Sequence, residues 1–235
     1  ERIGEARARL GTAERVAPHS VLEHTAAQAR ARVLMDTRVD ALRRWQEQDA
    51  AAASTPPDRF AAAFERALAS TLLRDWARAD ASIAKARAVV KDSAGGNRAE
   101  RAIELLAVQS MLDRGDPGRA EALLRPYARD LSRPVRLLAA RIALATTGDD
   151  VRAKRSAEEL QTWVAGHPND AEAWSTLGQL WARLGQRLRS LRADAEARLA
   201  LGDFTGAIDR LRAGQRLARS APGAGVDFIE ASVID

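Results

Sequence analysis

The side chains that most often carry chemistry are thinly spread along this chain. Histidine occurs only at 19, 24 and 167, and there is no cysteine. A zinc-protease site needs two histidines one helical turn apart with a glutamate between them, H-E-x-x-H. His19 and His24 are five residues apart, which does not place both on one helical face, and His167 precedes Pro168 in a turn. We read His167 as structural. No phosphate-cradling G-x-x-x-x-G-K-S/T, no dinucleotide-type G-x-G-x-x-G and no nucleophile elbow G-x-S-x-G occurs. Carboxylates are many, but they fall on polar faces of helical pattern. The absence of cysteine excludes a disulfide scaffold and any cysteine-ligated metal. No catalytic residue, cofactor site or metal site is therefore expected in these 235 residues.

Recognition is what remains. The formal charge is +5, and of 37 basic residues only Lys85, Lys91 and Lys154 are lysines. An arginine-rich nucleic-acid binder would cluster its cations into a basic stripe. Here the arginines are spread over nearly every helical segment and interleaved with Asp and Glu, so nucleic acid is the lesser reading. No run reaches the roughly 18 apolar residues of a membrane span. Hydrophobic residues make up 46% of the chain but aromatics only 4%. So small a share of large rings, with abundant alanine and no runs of strand formers, suits closely stacked helices and no sheet.

The elements that must position a recognition surface are legible from 170 to 217. Trp174, Leu177, Trp181 and Leu184 recur at spacings of three, four and three, on one helix face. Gly178 leaves a gap in that face for a neighbouring helix. After Leu201-Gly202-Asp203 the pattern restarts with Ala207, Leu211 and Gly214. W-x2-L-G-x2-aromatic followed by G-x4-A-x3-L is the spacing of tetratricopeptide repeats. A turn residue followed five positions later by Ala recurs at Arg74, Gly115, Gly148 and Gly202, with a near match from Gly185 to Ser190.

These turns predict helix pairs 59–73 with 76–91, 97–114 with 117–131, 134–147 with 150–165, and 170–184 with 187–201, closed by a single helix 204–219. Two further helices, 21–35 built on Leu22, Ala26, Ala29 and Val33, and 37–48 built on Val39, Leu42 and Trp45, should cap the first pair. KDSAGGN (91–97) and AAASTPP (51–57) read as loops, with Asp58 capping the helix that follows. The expected fold is all-α, a right-handed α-α superhelix of tetratricopeptide type. Its parts are a leading segment and linker (1–20), capping helices and linker (21–58) and a repeat domain (59–235).

In that geometry the first helix of each pair lines a concave groove. Its positions there are Ala102, Leu105, Gln109 and Leu112, then Val135, Leu138, Ile142 and Ala145, then Glu172, Ser175, Gln179 and Ala182. From these, Leu105, Gln109, Leu112, Leu138, Ile142, Glu172 and Gln179 are the candidate partner-binding residues. The groove is apolar and nearly neutral, which favours apolar anchors over a clamped terminal carboxylate.

The segment AEAWSTLGQLWARLGQRLRSLRADAEARLALGDFTGAIDRLRAGQRLA (171–218), followed by DFIEASVID (227–235), resembles the C-terminal repeats of the BepA (YfgC) family. ERIGEARARL (1–10) and ARARVLMD (29–36) resemble that family's exit from its protease domain and the start of its repeats. Ser190, where the family usually has Ala, and SAPGAG (220–225) depart from its pattern. The family comprises periplasmic zinc metalloproteases of Gram-negative bacteria. The resemblance implies that this chain is a fragment whose zinc and catalytic residues lie in an absent domain, so no catalytic residue carries over. It also implies a periplasmic role in outer-membrane protein quality control. There the repeats would dock substrates or the barrel-assembly machinery, and shield the protease active site. A free-standing tetratricopeptide adaptor is the alternative that the residues themselves leave open.

Overall fold

A computed structural model describes residues 18–48, 55–91 and 97–220. Side chains are described from Leu22 onward, and not for Asn97 or Ser220. The opening segment 1–17, the linker residues 51–54, most of the 91–97 loop and the closing 221–235 lie outside the described residues, and so does the side chain of His19.

All regular structure among the described residues is helical. The α-helices are α1 (Pro18–Leu34), α2 (Val39–Glu47), α3 (Pro56–Leu72), α4 (Trp76–Lys91), α5 (Asn97–Asp113), α6 (Pro117–Leu124), α7 (Arg133–Ala145), α8 (Asp150–Gly166), α9 (Ala171–Arg183), α10 (Arg187–Ala200) and α11 (Phe204–Ser220). The chain divides into two compact units, 1–114 and 115–235. In each, helices pack mainly on their chain neighbours, as an α-α repeat requires.

The five expected turns share one device. Arg74, Gly115, Gly148, Gly185 and Gly202 all have positive φ, between 59° and 82°. A left-handed residue lets the chain turn back while its amides close on the last carbonyls of the helix. Asp75 N donates to Ser70 O, Gln186 N to Trp181 O and Asp203 N to Arg198 O, all within 2.9 Å. The next residue then starts the following helix. Asp75, Asp116, Asp149 and Asp203 each accept the backbone N–H three positions on, at 2.9–3.2 Å. A carboxylate there satisfies an orphan donor and faces the positive end of the helix dipole.

Three local expectations are corrected. Helix α3 is capped by Thr55, whose Oγ1 accepts from Asp58 N, so Asp58 lies in the first turn instead of capping. Val39 is exposed, and Ala41 and Gln46 are buried beside Leu42, because α2 presents the neighbouring stripe to α3. Helix α6 stops at Leu124 and gives way to a 3-10 turn over Arg125–Tyr127, where helix was expected to 131. Pro126 lacks an N–H, so the α-helical hydrogen-bond ladder is interrupted there.

In the first unit, α1 packs on α3 and α5, and α2 packs on α3. Leu22, Ala26, Ala29 and Val33 are all buried, as their spacing requires. Gln46 Nε2 reaches Ser70 Oγ and Asp75 Oδ2, tying α2 to the end of α3. Buried Glu65 accepts from Arg32 Nε at 2.7 Å; burial raises its pKa, and the arginine opposes that rise. The second unit is centred on α9. Leu177 and Leu180 are fully buried, and Trp174 and Trp181 nearly so, among Leu137, Ala140, Leu160, Val164 and Ala193. A Cβ on Gly178 would stand 3.4 Å from Ser190 O, so α10 does approach at that gap.

Candidate partner-binding cleft

The seven residues expected to line one groove differ in exposure. Leu105, Gln109 and Leu112 on α5 are half-buried, and Gln109 Oε1 accepts from the Arg30 guanidinium at 3.4 Å. Glu172 and Gln179 on α9 are exposed, and Glu172 is ion-paired with Arg133 at 2.8 Å. Leu138 and Ile142 on α7 are buried, with exposures of 8% and 2%, which corrects their assignment as open groove positions. The reason is that α7 is enclosed on several sides. Leu137, Ala140 and Ala143 face the core shared with α8 and α9, while Val135, Ala139 and Ile142 face the junction of α6 and α8. Its exposed positions are Pro134 and Ala145, so of the four groove positions expected on α7 Ala145 alone is open to solvent.

The junction itself is a cleft of about 240 Å³. Its floor is apolar: Leu124 from α6, then Val135, Ala139 and Ile142 from α7. Leu131 stands at its lip with 62% of its surface exposed, a large apolar side chain left in solvent. The early end of α6 creates the opening, because the chain from Arg125 to Ser132 no longer continues a helix alongside α7.

The rim is charged. Arg152 pairs with Glu121 at 2.6 Å and Arg155 with Glu159 at 3.1 Å. The Arg152 guanidinium beside Glu121 lowers that carboxyl's pKa. Asp130 Oδ1 accepts from Ser132 N at 2.9 Å. Arg136 is held differently. Its Nε donates to Leu131 O at 2.6 Å and its Nη1 to Glu159 O at 2.7 Å, and its guanidinium lies 5.9 Å from the Trp163 ring centroid.

Trp163 belongs to a network behind the cleft. Its ring stacks on His167 at 3.7 Å, and His167 Nδ1 lies 3.0 Å from Trp163 O, so this histidine packs in a turn. Trp163 Nε1 and Arg133 both donate to Asp170, the N-cap of α9. The Arg133 hydrogen bond is the main cause that holds the Asp170 pKa down at about 2.

A second cleft of about 670 Å³ lies between α8, α9 and α10, lined by Lys154, Glu158, Gln161 and Thr162 together with Trp181 and Leu184. Among the described residues no three His, Cys, Asp or Glu side chains gather as metal ligands. No described helix is long and apolar enough to cross a membrane.

Sequence reasoning missed Leu131, Ala139 and Arg136. Pro126 was the available sign, since a helix that ends early uncovers whatever it would have packed against. No protein-family model and no curated protein matches this chain.

Proposed function

We propose that this chain is a protein-interaction domain of helical repeats that docks partner segments through an apolar anchor. The observation that carries this reading is the cleft over α7, an apolar floor with an exposed leucine at its lip. Helix-repeat proteins take partner segments into such depressions, where one or two apolar side chains supply most of the affinity. The tetratricopeptide spacing at 174–181 and 202–211 and the segment 171–235 support the further proposal of a parent resembling the BepA metalloproteases. In such a parent the domain works in the periplasm beside a zinc-bearing catalytic domain that these residues do not contain. It presents substrates or the barrel-assembly machinery and shields the protease site.

Many arginines are engaged by carboxylates of neighbouring helices, as in Arg87–Glu104, Arg114–Asp80 and Arg210–Asp194. Cations spent on helix-to-helix pairs favour a protein partner over nucleic acid. The test is binding of the whole chain to unfolded outer-membrane barrel segments, read by calorimetry, with Leu131→Glu as the disabled variant. Binding that Leu131→Glu weakens supports docking, and equal affinity in the two proteins refutes it. An upstream reading frame carrying a signal peptide and H-E-x-x-H supports the protease parent; a frame without them refutes it. A nucleic-acid role predicts affinity for a duplex that collapses as salt rises.

A further inference from the structure

We propose that the cleft over α7 recognises an acidic segment, with a large apolar side chain in the cleft and an adjacent carboxylate on the guanidinium of Arg136. The proposal rests on reading this cleft as a docking site. It adds the chemistry of the partner.

The argument starts from what holds Arg136. Two backbone carbonyls, Leu131 O and Glu159 O, fix its Nε and Nη1, and the Trp163 ring lies on one side of the guanidinium. No carboxylate of the described residues pairs with it, in contrast to Arg152 and Arg155 on the same rim. Carbonyls orient a guanidinium but leave its full positive charge in place. Five N–H donors are available on an arginine, and these two bonds occupy two of them. The result is a cation fixed in place before any ligand arrives, so little rotamer freedom is lost on binding.

The apolar floor lies beside it. A volume of about 240 Å³ equals the space of about eight water molecules, enough for one large side chain and too little for a packed helix. Leu131 links the two features, since its carbonyl holds Arg136 while its side chain stands at the lip. The acids of the rim do not oppose this. Glu121 and Glu159 are each paired with an arginine, and the exposed Arg125 on the same rim offsets Asp130, whose bond to a backbone amide leaves its charge in place. The carboxylate therefore meets a net positive rim, and the apolar side chain meets the floor.

The experiment selects a phage library of random dodecapeptides on the full chain, with counter-selection on Leu131→Glu, and then measures selected peptides by fluorescence anisotropy. The expected result is enrichment of sequences carrying one large apolar residue within two positions of Asp or Glu. Changing that acid to its amide in the peptide, or Arg136→Gln in the protein, should each weaken binding about tenfold, the size of one charge-assisted hydrogen bond. The two changes together should cost little more than either alone. The peptide change leaves the protein untouched, so it reads recognition even where Arg136→Gln loosens the loop. Enriched peptides that bind equally well with the acid removed overturn this inference and leave the docking reading standing. No enrichment that depends on Leu131 overturns both.

Discussion

Trp163 Nε1 donates to Asp170 Oδ2 at 2.9 Å across the turn between α8 and α9. The same carboxylate caps α9 through Ala173 N and takes both Nε and Nη2 of Arg133 from α7. One side chain thus joins three helices, and it is largely buried while doing so.

The acid limb of the stability curve should therefore pass through Asp170. Its pKa is about 2 in the folded chain against an ordinary 3.8. The unfolded chain takes up that proton more readily, so the stabilisation is fully present above about pH 4 and disappears as pH falls through 2. Its size is on the order of 2 kcal/mol. Asp170→Asn should lose that amount at pH 7 and flatten the decline between pH 4 and 2. Urea unfolding followed by circular dichroism at several pH values measures both, and an unchanged acid limb would count against the assignment.

Gly178 separates two substitutions sharply. An added Cβ would meet Ser190 O at 3.4 Å, ordinary contact, so Gly178→Ala should be neutral or gain up to about 1 kcal/mol from helix propensity. Gly178→Leu has no room between α9 and α10 and should cost about 1–3 kcal/mol or more. Thermal melts of the two variants decide it, and equal melting temperatures would show that the approach of α10 is not tight.

Arg74 and Gly148 make an inverse pair. Arg74 is an exposed residue with φ 59°, in a conformation that glycine takes without penalty. Arg74→Gly should stabilise by about 1 kcal/mol, while Gly148→Ala, at φ 78°, should destabilise by about 1–2 kcal/mol. Opposite shifts in denaturant midpoint are the expected outcome.

Leu131 and Ile142 border the same cleft yet should respond to a charge in opposite ways. Ile142→Glu buries a carboxylate on the floor and should cost several kcal/mol, enough to depress the helical spectrum. Leu131→Glu at the open lip should leave that spectrum intact and remove partner binding. Should Ile142→Glu fold normally, the floor is more open than described.

These cases show which features the sequence could carry. Turns were legible because positive φ at Gly115, Gly148, Gly185 and Gly202 demands one residue type at a fixed distance from the next apolar stripe. Even Arg74 was found by its distance from Ala79. The α9 core was legible because two tryptophans on one face have few places to go. Faces of α7 were not, since Val135, Leu138, Ile142 and Ala145 are apolar on a helix enclosed on several sides, and periodicity cannot rank one stripe above another there. The cleft was hidden for a related reason. It depends on how far α6 extends, and so on Pro126, and on Arg136 bonding to carbonyls that no spacing rule reveals.

The ion pairs between helices are made almost wholly by arginine, and this has a practical use in labelling. Lys85, Lys91 and Lys154 are the only side-chain amines, all three are exposed, and none has an ion pair among the described residues. Acylating reagents therefore spare the helix-to-helix pairs. A dye on Lys154 would sit on α8 in the second cleft, since Lys154 lines that cleft and not the one over α7. The chain is thus suited to amine-coupled reporters and surface immobilisation that leave both its fold and its candidate docking site untouched.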